Sequence, residues 1–221
     1  MFAHLGRLLP KPLRATLKAW KSLSCDFGHY QSARLGQCLS REGEPVPWYT
    51  YPAVEFLNQL DLSDKVVFEY GSGNSTLFWA KRSRRVIAIE NDPSWHAQIK
   101  LKLPGNVTYS LIQDTESYVN SVKAAGAPDI IIIDGMHRAE CAAATLGKLA
   151  SGGFYILDNA DWHPEASALL RGLDLIEIDM AGFGPINHYT WTTSFYFSRN
   201  VRLPSNRSKQ PSPGIGSIQV N

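Results

Sequence analysis

Val66-Val67-Phe68-Glu69-Tyr70-Gly71-Ser72-Gly73-Asn74-Ser75-Thr76 carries the strongest structural signal in the chain. An apolar run ends in Gly-Ser-Gly and leads into the helix-permissive segment Leu77-Phe78-Trp79-Ala80-Lys81-Arg82. That order predicts a buried parallel strand, a tight glycine turn and the start of a helix. Glycine belongs at such a turn because Gly71 can take a positive φ, and Gly73 has no Cβ to hold a ligand off the main chain. The turn is therefore the entrance to a site for a nucleotide-type ligand.

Working toward the C-terminus, the helix is expected over about 75–81 and a second strand over Arg85–Glu90, closing on an acid. Asp92 as N-cap and Pro93 at N1 open another helix that reaches about Leu101. A third strand spans Val107–Ile112 and a helix Ser117–Ala125. The run Asp129-Ile130-Ile131-Ile132-Ile133-Asp134 is too continuously apolar to have a wet face and is a fourth, central strand. The alanine-rich stretch Arg138–Leu149 is helical, Phe154–Leu157 a fifth strand and Glu165–Arg171 a helix. Leu173–Met180 and Thr193–Ser198 complete the strands. Such alternation implies right-handed crossovers and an α/β fold: a doubly wound, Rossmann-like, mostly parallel sheet with helices on both faces and the last strand antiparallel. Ligands of such sheets bind beyond the carboxyl ends of the strands.

Working back from the turn, Ala53, Val54, Phe56, Leu57 and Leu60 fit one helix face, preceded by the aromatic cluster Trp48, Tyr49 and Tyr51, which serves either core or substrate wall. Residues 25–47 read as loop with one short helix, part of a lid. Residues 11–24 space Lys11, Arg14, Lys18 and Lys21 by threes and fours among Leu13, Leu17 and Trp20, a short basic amphipathic helix. It either packs on the domain with a solvated basic face or attaches to a membrane surface or partner. The expected organisation is an N-terminal helical extension or lid over 1–47, a Rossmann domain over 48–198, and a flexible tail over 199–221 rich in Pro, Ser, Gly and Lys.

Composition narrows the function. Against 20 acidic residues stand 22 basic ones, a formal charge of +2 that gives no pull toward nucleic acid. Cys25, Cys38 and Cys141 are odd in number and form no CxxC pair, which points to a reducing cytoplasm rather than a disulfide framework. No run approaches the roughly 18 apolar residues of a transmembrane helix, and residues 1–10 are too interrupted for a signal peptide. The expectation is a cytoplasmic protein, with self-association left open.

The ligand of the turn follows from what is missing. A dinucleotide fingerprint asks for GxGxxG, and Gly71-Ser72-Gly73-Asn74-Ser75-Thr76 has Thr in the third glycine's place. Glu69-Tyr70-Gly71-Ser72-Gly73-Asn74-Ser75 instead resembles the first motif of class I S-adenosylmethionine-dependent methyltransferases, an acid before a GxGxS/T turn. Glu90 ends the next strand about twenty positions beyond Glu69, where that family puts the carboxylate that accepts the ribose hydroxyls. A carboxylate suits a diol because it accepts two charge-assisted hydrogen bonds. Asp114 stands where the family meets the adenine, and it equally fits the N-cap of the next helix. The resemblance covers about residues 48–198. It implies S-adenosylmethionine as cofactor, with Glu69, Gly71, Ser72, Gly73, Ser75, Glu90, Asp114 and Asp134 around it.

The fourth and fifth strands end in Asp134-Gly135-Met136-His137 and Asp158-Asn159-Ala160-Asp161-Trp162-His163, so the fold puts both groups on one rim. Two acids and an amide oxygen, from Asp134, Asp158 and Asn159, form a ligand set for Mg²⁺ or a similar hard cation. Asp161 or His163 could replace Asn159 as third ligand. The pattern resembles the metal-dependent O-methyltransferases, in which the cation lowers the acceptor hydroxyl's pKa and orients it. His137 matches the position of a proton-accepting histidine in some sugar-modifying members, and its ordinary pKa of about 6.5 suits a base. The plainer alternatives are that Asp134 and His137 cap a helix and that Asp158 and Asn159 are turn residues. Residues 181–191 crowd Phe183, His188, Tyr189 and Trp191 at the same rim, as substrate wall or as a connection plugging the core.

The function expected from these residues is methyl transfer from S-adenosylmethionine to a hydroxyl of a small molecule or saccharide, assisted by a divalent cation. Asp134 and His137 would be catalytic. A metal-independent methyltransferase whose acidic rim binds an amine is a second reading. A non-catalytic protein that keeps the cofactor pocket is a third.

Overall fold

The computed structural model describes residues 9–218. Its strands are β1 (Val66–Tyr70), β2 (Arg85–Glu90), β3 (Val107–Leu111), β4 (Ile130–Ile133), β5 (Phe154–Asp158), β6 (Leu175–Gly182) and β7 (Trp191–Ser198). They form one seven-stranded sheet in the order β3-β2-β1-β4-β5-β7-β6. β3, β2, β1, β4 and β5 pair in parallel, and β7 runs antiparallel to both β5 and β6. The expected doubly wound, mostly parallel sheet with an antiparallel last strand is therefore what the chain forms.

The reason lies in the alternation of side chains along strands that are apolar on both faces. On one face Val67, Val86, Ile130, Ile132, Ile156 and Phe195 pack against Ala53, Val54 and Leu57 of α3 (Tyr51–Leu57) and Phe78 and Trp79 of α4 (Asn74–Ala80). On the other, Phe68, Tyr70, Ile131, Ile133, Tyr155 and Leu157 pack against α6 (Thr115–Asn120), α7 (Arg138–Ala144) and α8 (Pro164–Arg171), with α5 (Pro93–Lys100) flanking β2 and β3. All four isoleucines of β4 are buried, two into each core. The edge strand β6 keeps the acids Glu177 and Asp179, charges that discourage pairing by another chain.

The topology fixes where a ligand can sit. Strand order reverses between β1 and β4, and this switch point opens a crevice at their carboxyl ends. Gly71 and Asp134 lie side by side there: a Cβ on Gly71 would come within 2.9 Å of the Asp134 carbonyl oxygen.

Outside the sheet, α1 (Lys11–Lys21) and a π-helical turn (Ser22–Asp26) lead to α2 (His29–Leu35). α2 and the loop after it are tied to the rest of the chain, with His29 Nδ1 3.1 Å from the Gly184 carbonyl and Asn74 Nδ2 donating to the Cys38 carbonyl at 2.7 Å. One expectation shifts. The helix expected over 138–149 ends at Ala144, where Thr145 Oγ1 turns back onto the Ala142 carbonyl at 2.7 Å and Gly147 takes φ 70°. Residues 204–215 lie along α3 and the chain after it: Asp61 N–H donates to the Pro204 carbonyl at 2.7 Å, Gln210 Nε2 to the Gln59 carbonyl at 3.0 Å, and Ile215 N–H to the Glu55 carboxylate. The stretches 1–8 and 219–221 lie outside the described residues.

Because β4 serves two cores, Ile131→Ala and Ile132→Ala should each lower the unfolding free energy by about 2–5 kcal/mol in urea titrations. An effect near zero for either would mean that one face of β4 is not packed.

Candidate active site

The site is built upward from the turn. Gly71 has φ 88° and its N–H donates to the Ile89 carbonyl at 2.9 Å, which turns the chain sharply at the end of β1. Gly73 N–H then donates to Thr76 Oγ1 at 3.1 Å, and that hydroxyl donates to Glu69 Oε2 at 2.6 Å. Glu69 is buried, and its Oε1 has no partner. Burial pushes its carboxyl up to about 8, against the pull of the Ser75 and Thr76 hydroxyls. The acid before the turn thus acts as an internal brace.

Glu90 is equally committed. Its Oε1 accepts from the Asn91 and Asp92 amides at 2.8 and 3.0 Å, and its Oε2 accepts from Ser72 Oγ at 2.6 Å. Three of a carboxylate's roughly four acceptor positions are thereby used. Tyr109 Oη reaches the same Ser72 hydroxyl at 2.7 Å, and Trp95 Nε1 donates to the Ser72 carbonyl at 2.8 Å. Ser72 stands between Glu90 and a cavity of about 620 Å³, within the size range of cofactor sites. The cavity is walled by Gly36–Cys38, the turn 72–75, Trp95, Asp134, Arg138, Asn159 and Tyr189.

Of the residues singled out in the sequence, Ser72, Gly73, Ser75, Asp134, Asp158 and Asn159 line this cavity, while Glu69, Gly71 and Glu90 lie beneath it. Asp114 and His137 are not on its wall. Asp114 caps α6, accepting the Ser117 N–H at 2.8 Å, the second of its two readings. His137, at φ 55°, stands at the N-cap of α7 without a capping bond, and its Nε2 is 3.4 Å from Thr115 Oγ1.

The rim expected to hold a cation holds a side chain instead. Arg138 donates from Nη2 to Asp134 Oδ1 at 2.8 Å, and from Nη1 to Asn159 Oδ1 at 2.8 Å and to the Asp158 carbonyl at 2.9 Å. The Asp158 carboxylate turns inward, where its Oδ1 accepts from Trp191 Nε1 at 3.1 Å and Thr193 Oγ1 at 2.5 Å. The alternative third ligands are also placed elsewhere: Asp161 Oδ1 accepts the Thr192 N–H at 2.9 Å, and His163 is the N-cap residue of α8. Asp134, Asp158 and Asn159 therefore do not form a free ligand set here, since the Arg138 guanidinium already supplies the positive charge that a metal would bring to these oxygens. Among the described residues no group of three or more His, Cys, Asp or Glu is placed to hold a metal ion.

Burial pushes the Asp134 carboxyl up to about 6, and Arg138 limits the rise. Asp158 is pushed well above the carboxylate range by burial and by the neighbouring charge of Asp134, opposed by Thr193, Trp191 and Arg138. The two acids and one arginine form a nearly closed charge group.

No family model matches the chain, and no curated protein matches it in sequence. Solved structures do match in shape. Precorrin-6y C5,15-methyltransferase from Geobacter metallireducens superposes with a TM-score of 0.52 at 18% identity, over 66% of this chain and 87% of that one. A candidate methyltransferase from Streptococcus mutans, solved with S-adenosylhomocysteine, superposes with a TM-score of 0.50 at 17% identity, over 65% of this chain and 94% of that one. The fold is that of these methyltransferases. The expected Rossmann-like architecture is shared with them.

Three contributors to the site are weakly signalled in the sequence. Arg138 stands four residues after Asp134, a spacing at which opposite charges meet, and this was the available clue. Trp95 follows the Asp92 cap by three residues, but nothing in the sequence aims its ring at Ser72. The loop 183–190 divides between its two readings: Trp191 just beyond it is buried on Asp158, whereas Ile186, Asn187 and Tyr189 face the cavity. Likewise Tyr49 and Tyr51 are core, and Trp48 is wall.

The brace at Glu69 has a measurable signature. Its folded pKa of about 8 lies above that of an unfolded glutamate, so its favourable contribution is complete below about pH 4.3 and is lost as pH rises toward 8. Glu69→Gln should gain on the parent protein across that window, by up to about 5 kcal/mol in urea unfolding, and hold level above it. A pH-independent difference would show that Glu69 is ionised throughout.

Proposed function

We propose that the chain is an S-adenosylmethionine-dependent methyltransferase whose acceptor is a hydroxyl of a small molecule or saccharide. The observation that carries this reading is the turn at the switch point, where Gly71 takes φ 88° and Glu90 closes the adjacent strand behind Ser72. The residues fit the donor: a Cβ on Gly73 would meet the Trp95 ring alone, at 3.6 Å, so the main chain there faces open cavity. The S-adenosylhomocysteine in the S. mutans structure of the same fold supports the same assignment. Bound there, S-adenosylmethionine supplies a methyl group already activated on a sulfonium.

The chain's own residues then have separable tasks. Gly73 and Ser75 present the main chain to the donor, and Ser72, held from behind by Glu90, offers its hydroxyl to the ribose. Asp134 is the base: it lines the cavity, and a pKa of about 6 leaves it ionised yet still basic at neutral pH. Arg138 holds its Oδ1 and so orients the carboxylate. Asp134 takes this role rather than His137, whose ring is engaged toward Thr115. Arg138 also weighs against both a divalent ion and an ammonium acceptor at this rim, because either would face its guanidinium. The exposed faces of Trp48, Trp162 and Tyr189 at the mouth suit a ring or sugar acceptor.

In thermal unfolding, S-adenosylmethionine or S-adenosylhomocysteine at about 100 times Kd should stabilise the protein by about 2.7 kcal/mol, a rise of roughly 5–10 °C, and NAD should do nothing. Absence of a shift with both sulfur ligands would refute the cofactor assignment. With a turned-over acceptor, kcat/KM should rise with pH through a limb near 6, and Arg138→Gln should move that limb upward because the charge holding the Asp134 pKa down is gone. EDTA should leave donor affinity and turnover unchanged, and loss of turnover restored by Mg²⁺ would return the metal to the site.

A further inference from the structure

Helix α1 stands apart from everything so far described. Not one of its residues is buried, although it carries Leu13, Leu17 and Trp20, which are 44%, 45% and 63% exposed. The spacing of four and three places these three side chains on one face of the helix. The adjoining face carries Lys11, Arg14, Lys18 and Lys21, and α1 contains no acidic residue. Among the described residues none of these four cations takes part in an ion pair.

A helix packed on its own domain would bury the leucines and pair or solvate the cations. This one leaves an apolar stripe beside a cationic stripe, with a tryptophan at the end of the apolar face. At 11 residues it is about 16 Å long, too short to cross a bilayer, and no described helix is long and apolar enough to do so. We propose that α1 is an interfacial helix that docks the protein on an anionic lipid surface, with Leu13, Leu17 and Trp20 among the acyl chains and the four cations against the headgroups. Charge selects this occupant. A second copy of the same face would bring eight like charges together, whereas an anionic bilayer matches both stripes at once.

The chain after α1 leads to the wall of the cavity. After α1 the chain passes through the π-helical turn, where Ser24 is buried, and then through Gly28, whose φ is 76° and whose Cβ would lie 2.7 Å from Ser40 and Arg41 backbone atoms. The next helix, α2, ends in the segment Leu35–Cys38 that walls the cavity. Lipid contact therefore sits one short segment away from the cavity mouth.

Co-sedimentation of the full chain with vesicles tests this. Binding is expected to vesicles of phosphatidylcholine with about 30% phosphatidylserine, and to weaken at least tenfold on pure phosphatidylcholine or when salt is raised to about 0.5 M. Leu13→Glu with Leu17→Glu, and separately Lys11→Glu with Lys18→Glu, should each reduce binding at least tenfold. Because α1 buries nothing, both double variants should keep the parent's unfolding midpoint and its affinity for S-adenosylhomocysteine. Failure to bind the anionic vesicles, or equal binding by the variants, overturns the proposal. So does a dimer in analytical ultracentrifugation that Leu13→Glu with Leu17→Glu converts to monomer, since the face would then belong to a second copy.

Discussion

The arrangement of the whole molecule depends on the close approach of two backbones at the carboxyl ends of β1 and β4. Gly71 and Gly135 lie against each other there: a Cβ on Gly71 would reach the Asp134 carbonyl, and one on Gly135 would lie 2.8 Å from Gly71 N and collide with the Tyr118 hydroxyl. Side chains at these positions would pry the central strands apart where the strand order reverses. Their absence lets β1 and β4 stay paired to their last residues while the chain turns away on both sides, and the crevice of the site is what remains. The isoleucines of β4 hold this junction from both faces.

Around that junction, buried charge is managed at two depths. Beneath the turn, Glu69 is held by the Thr76 hydroxyl in a dry setting that favours its protonated form. At the rim, burial raises both Asp134 and Asp158, the charge of Asp134 raises Asp158 further, and Arg138 pulls both down while also binding Asn159. A half-buried arginine with donors engaged by a side-chain carboxylate, a side-chain amide and backbone carbonyls is a positioning element as much as a charge, because its planar fork fixes several loops at once. Two strained residues flank it, His137 at φ 55° and Asn159 at φ 53°, and a third, Ile186 at φ 71°, lies across the cavity. Left-handed conformations at non-glycine residues cost energy and collect where a structure positions a site.

Much of this molecule was legible in its sequence. Apolar runs bounded by glycine and acids specify buried parallel strands, because only strands covered on both faces can be apolar at every position, as β4 is. The Gly71–Gly73 turn and the Asp92 and Asp114 caps follow from equally local chemistry. Asp134, Asp158 and Asn159 could be picked out because fold order puts the ends of the fourth and fifth strands on one rim, and Glu69 and Glu90 because they stand where the resemblance to the methyltransferase motif implies.

What those side chains face was decided only in three dimensions. Spacing along the chain shows that Asp134 and Asp158 share a rim, but not that the carboxylate of Asp158 turns inward to Trp191 and Thr193, or that Arg138 fills the space a metal would need. Each depends on partners from strands and helices distant in sequence, brought together by the crossovers. Residue type and periodicity determine which groups arrive at the site, and long-range packing determines which oxygen meets which donor.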